Sequence, residues 1–156
     1  MQLQNRRGTI AVLVAVMMTA LIAVSAVSID SSRLLSLRNE LQFSADAGAH
    51  AGAIQLMEPN DPMNTADVAT RYSMRYLAMQ GVVNVDSVEL GAWDDFNHMF
   101  TPGLTPPNAV RVVVSRRAPG LLVSHFGVTS PRIRARAVGW LPPDSSAARR
   151  RVVLTQ

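Results

Sequence analysis

The chain has 156 residues, 48% of them hydrophobic and 17% charged, which is enough for one domain and too apolar for a disordered polyelectrolyte. All 15 basic residues are arginine, so chemistry through a lysine amine is excluded; the absence of cysteine removes disulfides, thiolate zinc sites and a thiol nucleophile. The formal charge of +4 is a remainder of opposites: residues 58–95 carry seven acids against Arg71 and Arg75, and residues 110–156 carry nine arginines against Asp144.

Residues 1–7 form a short basic start containing Arg6 and Arg7. Residues 8–29 hold no charge, and as a helix they extend roughly 33 Å, the thickness of a bilayer's hydrocarbon core. Arginine before the run and Asp30 after it predict a cytoplasmic N-terminus, with everything past residue 30 outside. The small residues Val24-Ser25-Ala26 would also suit a signal-peptidase cut, which would release a secreted binding module that docks an anionic surface through arginines. The run is longer than an ordinary signal core and the helical pattern continues past that site, which favours a retained anchor.

Residues 30–57 lack proline until the Glu58-Pro59-Asn60-Asp61-Pro62 stop and continue the helix outside the membrane. Leu34, Leu37 and Leu41 make one stripe. Further on, Ala45, Ala49 and Ala53 recur every fourth residue, with Gly48 and Gly52 as a small-xxx-small pair. Such residues let another backbone approach closely, either within the chain or between subunits.

Residues 58–141 read as a small α+β domain. A helix capped by Thr65 runs to Gln80, with Val68, Tyr72, Tyr76 and Met79 as its apolar stripe. A strand over 85–93 follows, then a loop over 94–108 holding three prolines. The strand over 109–116 is too apolar on both faces to be an exposed edge. A short helix over 119–126 leads to a last strand over 132–141, which sets Ile133, Ala135 and Ala137 against a basic face of Arg132, Arg134 and Arg136. Residues 142–156 are an Arg-rich flexible tail.

Little in this sequence carries chemistry. Asp94, Asp95 and His98 form a D-D-x-x-H group in a loop without further ligands, and the spacing reads as a solvated loop. His50 and His125 have no nucleophile in a recognisable motif, and Gly127-Val128-Thr129-Ser130 is not a nucleophile elbow. No catalytic, cofactor or metal site is expected. The acidic and basic halves suit docking to a neighbour or an anionic surface, and aromatics at 5% with an exterior location argue against nucleic acid.

The string from Arg6-Arg7-Gly8-Thr9-Ile10-Ala11-Val12-Leu13 through Ile29-Asp30 to Leu41-Gln42-Phe43-Ser44-Ala45-Asp46-Ala47 and Ala51-Gly52-Ala53 resembles the N-terminal segment of TadG-like proteins of the Tad, or Flp pilus, assembly system. Gly91-Ala92-Trp93-Asp94, Phe100-Thr101-Pro102-Gly103, Ala109-Val110-Arg111-Val112 and the stretch from Phe126 to Val138 resemble their downstream half. The resemblance implies a non-enzymatic, single-pass structural or assembly component of the bacterial inner membrane, with a pilin-like order of a long helix before a small, mostly antiparallel sheet. Its implied partners are the bilayer, other pilus or envelope proteins, and further copies through the N-terminal helix. Gly8 would be the processing position, although the fifth residue after it is Leu13 where related TadE-type pseudopilins carry Glu. Asp30-Ser31-Ser32 lacks the spacing of the metal motif of a von Willebrand A-type domain, so a short form without that domain is expected.

Overall fold

The computed structural model describes residues 3–57, 62–77, 81, 83–118, 121–122, 127 and 129–142. Their order is α1 (Leu3–Gln55), α2 (Pro62–Leu77), β1 (Asn84–Asp94), β2 (Met99–Pro102), β3 (Ala109–Arg117) and β4 (Arg132–Trp140). The contacts divide the chain into two units, Met1–Ser36 with Ala118–Pro131, and Leu37–Arg117 with Arg132–Gln156.

In the first unit α1 is exposed on every side. Ile10, Val12, Leu13, Val14 and Val16 point in different directions around the helix, and all are exposed. A water-soluble helix of this length would bury one stripe; one that meets lipid need not. The hydroxyls of Thr19, Ser25 and Ser28 each donate to the carbonyl four residues back, which satisfies them without water. Asp30 ends this stretch, is 5% exposed, and accepts a bond from the Leu122 amide at 2.9 Å. The Ala118 amide bonds the Pro131 carbonyl at 3.0 Å and closes the base of the excursion between β3 and β4. Of the helix expected over 119–126 only Leu121 and Leu122 are described; the remainder, His125 included, and the tail beyond Pro142 lie outside the described residues.

The second unit is a four-stranded antiparallel sheet in the order β2-β1-β3-β4, together with the C-terminal part of α1 and with α2. β3 is central, as its two-sided apolarity implied: Val110, Val112 and Val114 are fully buried on one face. They pair with Gly139, Ala137 and Ala135 of β4, so β4 turns small residues inward and its arginines outward. Leu37, Leu41, Ala45, Ala49 and Ala53 are the buried stripe of α1.

Two expectations need correction. The stretch read as a loop over 94–108 contains β2, whose Met99–Pro102 pair with Asp94–Gly91. Pro102 is compatible with pairing because it sits at the end of a four-residue edge strand, where a missing amide costs the ladder little. α2 begins at Pro62, three residues before the expected cap, because proline suits the first helical position. Its buried residues are Thr65, Ala69 and Ser73, whereas Tyr72 of the expected stripe is exposed. The helices approach so closely that only small side chains fit between them. Met79 lies outside the described residues, as does the Tyr76 side chain.

Candidate assembly surfaces

All five small residues singled out on α1 are in the second unit and inside its packing. A Cβ built on Gly48 would lie 2.8 Å from the Ala69 carbonyl oxygen and collide with the Ser73 hydroxyl. One on Gly52 would lie 3.1 Å from Val110 Cγ1 and 3.2 Å from Ala69 Cβ. Ala49 meets Gly139 of β4, and the buried Ser44 hydroxyl donates to the Ser73 carbonyl at 2.7 Å. Ala45, Gly48, Ala49, Gly52 and Ala53 are thus brought together against α2, β3 and β4 of the same chain. The matching small residues of α2, at 65, 69 and 73, carry the same every-fourth-residue signal, which the tyrosines of that helix mask in the sequence.

Gly8 stands apart on the exposed part of α1, with no neighbouring atom within 4 Å of a Cβ built there. The basic residues lie on the solvent side of the sheet. Asp86 Oδ1 accepts from Arg132 Nη2 at 3.0 Å and from Ser115 Oγ at 2.7 Å, and its Oδ2 lies 3.3 Å from Arg134 Nε. The Arg136 backbone carbonyl accepts from Gln42 Nε2 at 3.2 Å, while its side chain faces solvent. On the same face Arg111 pairs with Glu89 and lies 4.7 Å above the Phe100 ring. Trp93 and Trp140 stack there with centroids 6.4 Å apart. Asn108 ties this end together: its side-chain oxygen accepts from the Trp93 amide at 2.7 Å, and its carbonyl accepts from the Leu141 amide at 2.9 Å. No sequence motif announced that residue.

Asp94 and His98 belong to the β1–β2 turn. Asp94 accepts from the Phe96 amide (2.9 Å), the Asn97 amide (3.2 Å) and Asn97 Nδ2 (2.6 Å). The Asn97 side-chain bond, then the backbone bonds, hold its carboxyl below the ordinary aspartate value. Asp94 is therefore a turn residue whose acceptor capacity is spent on its own loop. Among the described residues no three His, Asp or Glu side chains cluster as a metal site would require. His50 lines a shallow groove between α1 and α2 with Ala47, Ile54, Val68 and Tyr72.

A long helix able to cross a membrane, joined in sequence to a small α+β domain built on close helix packing, describes an anchored structural component. Comparison with protein families agrees. The Tad-like Flp pilus-assembly family matches residues 51–138, and the TadE/G-like Flp pilus-assembly family matches residues 8–55. The chain belongs to the Tad proteins of Flp pilus assembly, a family of structural and assembly components, and is a membrane-anchored envelope protein. No curated protein and no solved structure gives a match.

Proposed function

We propose that this protein is a non-enzymatic, single-pass component of the Flp pilus-assembly machinery, held in the bacterial inner membrane with its N-terminus in the cytoplasm and the domain after residue 30 outside. The observation that carries this reading is the change of character along α1. Residues 8–29 are apolar and exposed all round, and the stripe from Leu37 to Ala53 is buried in the chain's own domain. The first part suits lipid contact and association with other copies through the helix. The second part fixes the exterior domain's internal packing, leaving its solvent-facing surfaces for other pilus or envelope proteins. Gly8, exposed and uncrowded, is the proposed processing position.

The lack of cysteine makes topology directly measurable. Single substitutions Gln4→Cys and Asp95→Cys are to be treated with a membrane-impermeant maleimide in intact spheroplasts. Labelling at position 95 alone, with position 4 reacting only after lysis, is expected. Labelling of both, or recovery of the chain in the soluble fraction, would overturn the reading. N-terminal sequencing of the mature protein adds a second check: a start at Val27 contradicts a retained anchor, and a start at Thr9 identifies processing after Gly8.

A further inference from the structure

The solvent face of the sheet holds a surplus of positive charge beside an aromatic end. β4 alternates, so Arg132, Arg134, Arg136, Val138 and Trp140 share that face, and successive members stand roughly 6.8 Å apart. Register places Arg117 of β3 opposite Arg132 and Ala109 opposite Trp140, with Gly91 of β1 opposite Ala109. Gly91 has no side chain, and a Cβ there would lie 2.9 Å from Phe100 Cζ, so the aromatic rings settle against bare backbone. Trp93 and Trp140 are both half-buried, and they are the only two tryptophans of the chain.

The charges do not cancel locally. Arg111 is matched by Glu89, and Arg132 and Arg134 both turn to the single carboxylate of Asp86. The Arg134 side chain is still 68% exposed, and neither Arg117 nor Arg136 has an acidic partner among the described residues. Four arginines at this end therefore face one carboxylate. Ion pairs this exposed are weak and can be exchanged for an external anion.

We propose that this face, from Arg132 and Arg134 through Arg136 to the Trp93–Trp140 pair, binds a linear acidic polysaccharide. The guanidinium planes offer paired donors to carboxylates that recur along the polymer. The indoles offer flat apolar area to the C–H faces of sugar rings. A regular ladder along one strand matches a repeating polymer. The complementarity needed is anionic charge in a row next to a stackable ring, which acidic sugars combine in every repeat unit.

Both tryptophans lie in the proposed site, so their fluorescence reports on it directly. The full chain in a neutral detergent micelle is to be titrated with polygalacturonate, with dextran as neutral polymer and polyglutamate as acidic polypeptide. A saturable change with polygalacturonate is expected, none with dextran, and a much weaker one with polyglutamate. It should fade as salt rises from about 0.05 M to about 0.5 M, where exposed charges are screened. The double variant Arg134→Gln/Arg136→Gln should weaken binding about tenfold, the loss expected for two charge-assisted contacts, with an unchanged thermal midpoint. Trp140→Phe, which keeps an aromatic face, should bind with reduced affinity. The proposal is overturned by an absent response, by equal or stronger binding of polyglutamate, or by wild-type affinity in the double variant. A fluorescence change that follows protein concentration without polymer would also overturn it, since the face would then bind a second copy.

Discussion

Gly139 of β4 lies directly against the Ala49 carbonyl of α1: a Cβ at position 139 would stand 2.6 Å from the carbonyl carbon and closer still to its oxygen. The obstacle is backbone on a continuous helix, so a new methyl can be accommodated only if strand or helix moves. Gly139→Ala should destabilise the exterior domain by about 1–3 kcal/mol, the range of overpacked core sites. Gly8→Ala, which meets no atom within 4 Å, is the matched control and should leave the midpoint unchanged. Thermal unfolding in detergent, followed by tryptophan fluorescence, measures both. Equal midpoints would contradict the close approach.

The two α1 glycines should rank differently from each other. At Gly48 the added Cβ meets the Ala69 carbonyl and the Ser73 hydroxyl, whose 2.9 Å bond to that carbonyl would be lost. At Gly52 its nearest neighbours are side-chain atoms of Val110 and Ala69, at 3.1–3.3 Å. Gly48→Ala should therefore cost about 1–3 kcal/mol, whereas Gly52→Ala should be near neutral because higher helix propensity offsets mild crowding. Leucine at position 48 should separate α1 from α2, abolishing co-purification with pilus components through loss of the domain while membrane insertion persists. Fractionation together with the thermal midpoint separates these outcomes.

The charge-free run, the continuation of α1 and the central place of β3 were legible because each rests on a local pattern of adequate length. The small-residue stripe on α1 was visible too, but its counterpart at Thr65, Ala69 and Ser73 was not. Hydrophobicity ranks tyrosine above alanine, and closeness of approach reverses that ranking. β2 was hidden for a related reason: four residues ending in proline have no periodicity to read, and their pairing is set by the turn before them. Arg132, Arg134 and Arg136 were placed on one face by alternation alone. Their sharing of Asp86, and the meeting of Trp93 with Trp140 across β1, β3 and β4, needed the register.

The Asp94 turn gives an acid-dependent local stability. The carboxylate is stabilised by its bonds to Asn97 and Phe96, so its folded-state pKa lies below the unfolded value. A depressed carboxyl contributes stability that is complete above the unfolded pKa and disappears as pH falls through the folded one. The turn should hold at neutral pH and loosen below about pH 4, the ordinary range of aspartate. Hydrogen exchange at the Phe96 and Asn97 amides should show the loss of protection in acid, with protection in β3 unchanged over the same window. Asp94→Ala should remove the protection at every pH, and persistence of it in that variant would assign the turn's stability to other groups.

Asp30 offers a test in the first unit. It is 5% exposed, and its Oδ1 accepts from the Leu122 amide at 2.9 Å, which ties the excursion after β3 to the helix at the end of its apolar run. Replacing the carboxylate with leucine removes a charge-assisted bond to that part-buried amide, a cost of about 1.5–3 kcal/mol. Asparagine retains a carbonyl oxygen of the same reach and should recover much of the loss. Asp30→Leu is therefore expected to raise amide exchange at Leu121 and Leu122 by at least about tenfold, the equivalent of 1.4 kcal/mol, and Asp30→Asn by much less. Exchange at Val112 and Val114, buried in the second unit, serves as the internal reference and should be the same in all three proteins. Unchanged exchange at Leu122 in Asp30→Leu would show that the excursion is held by its other contacts.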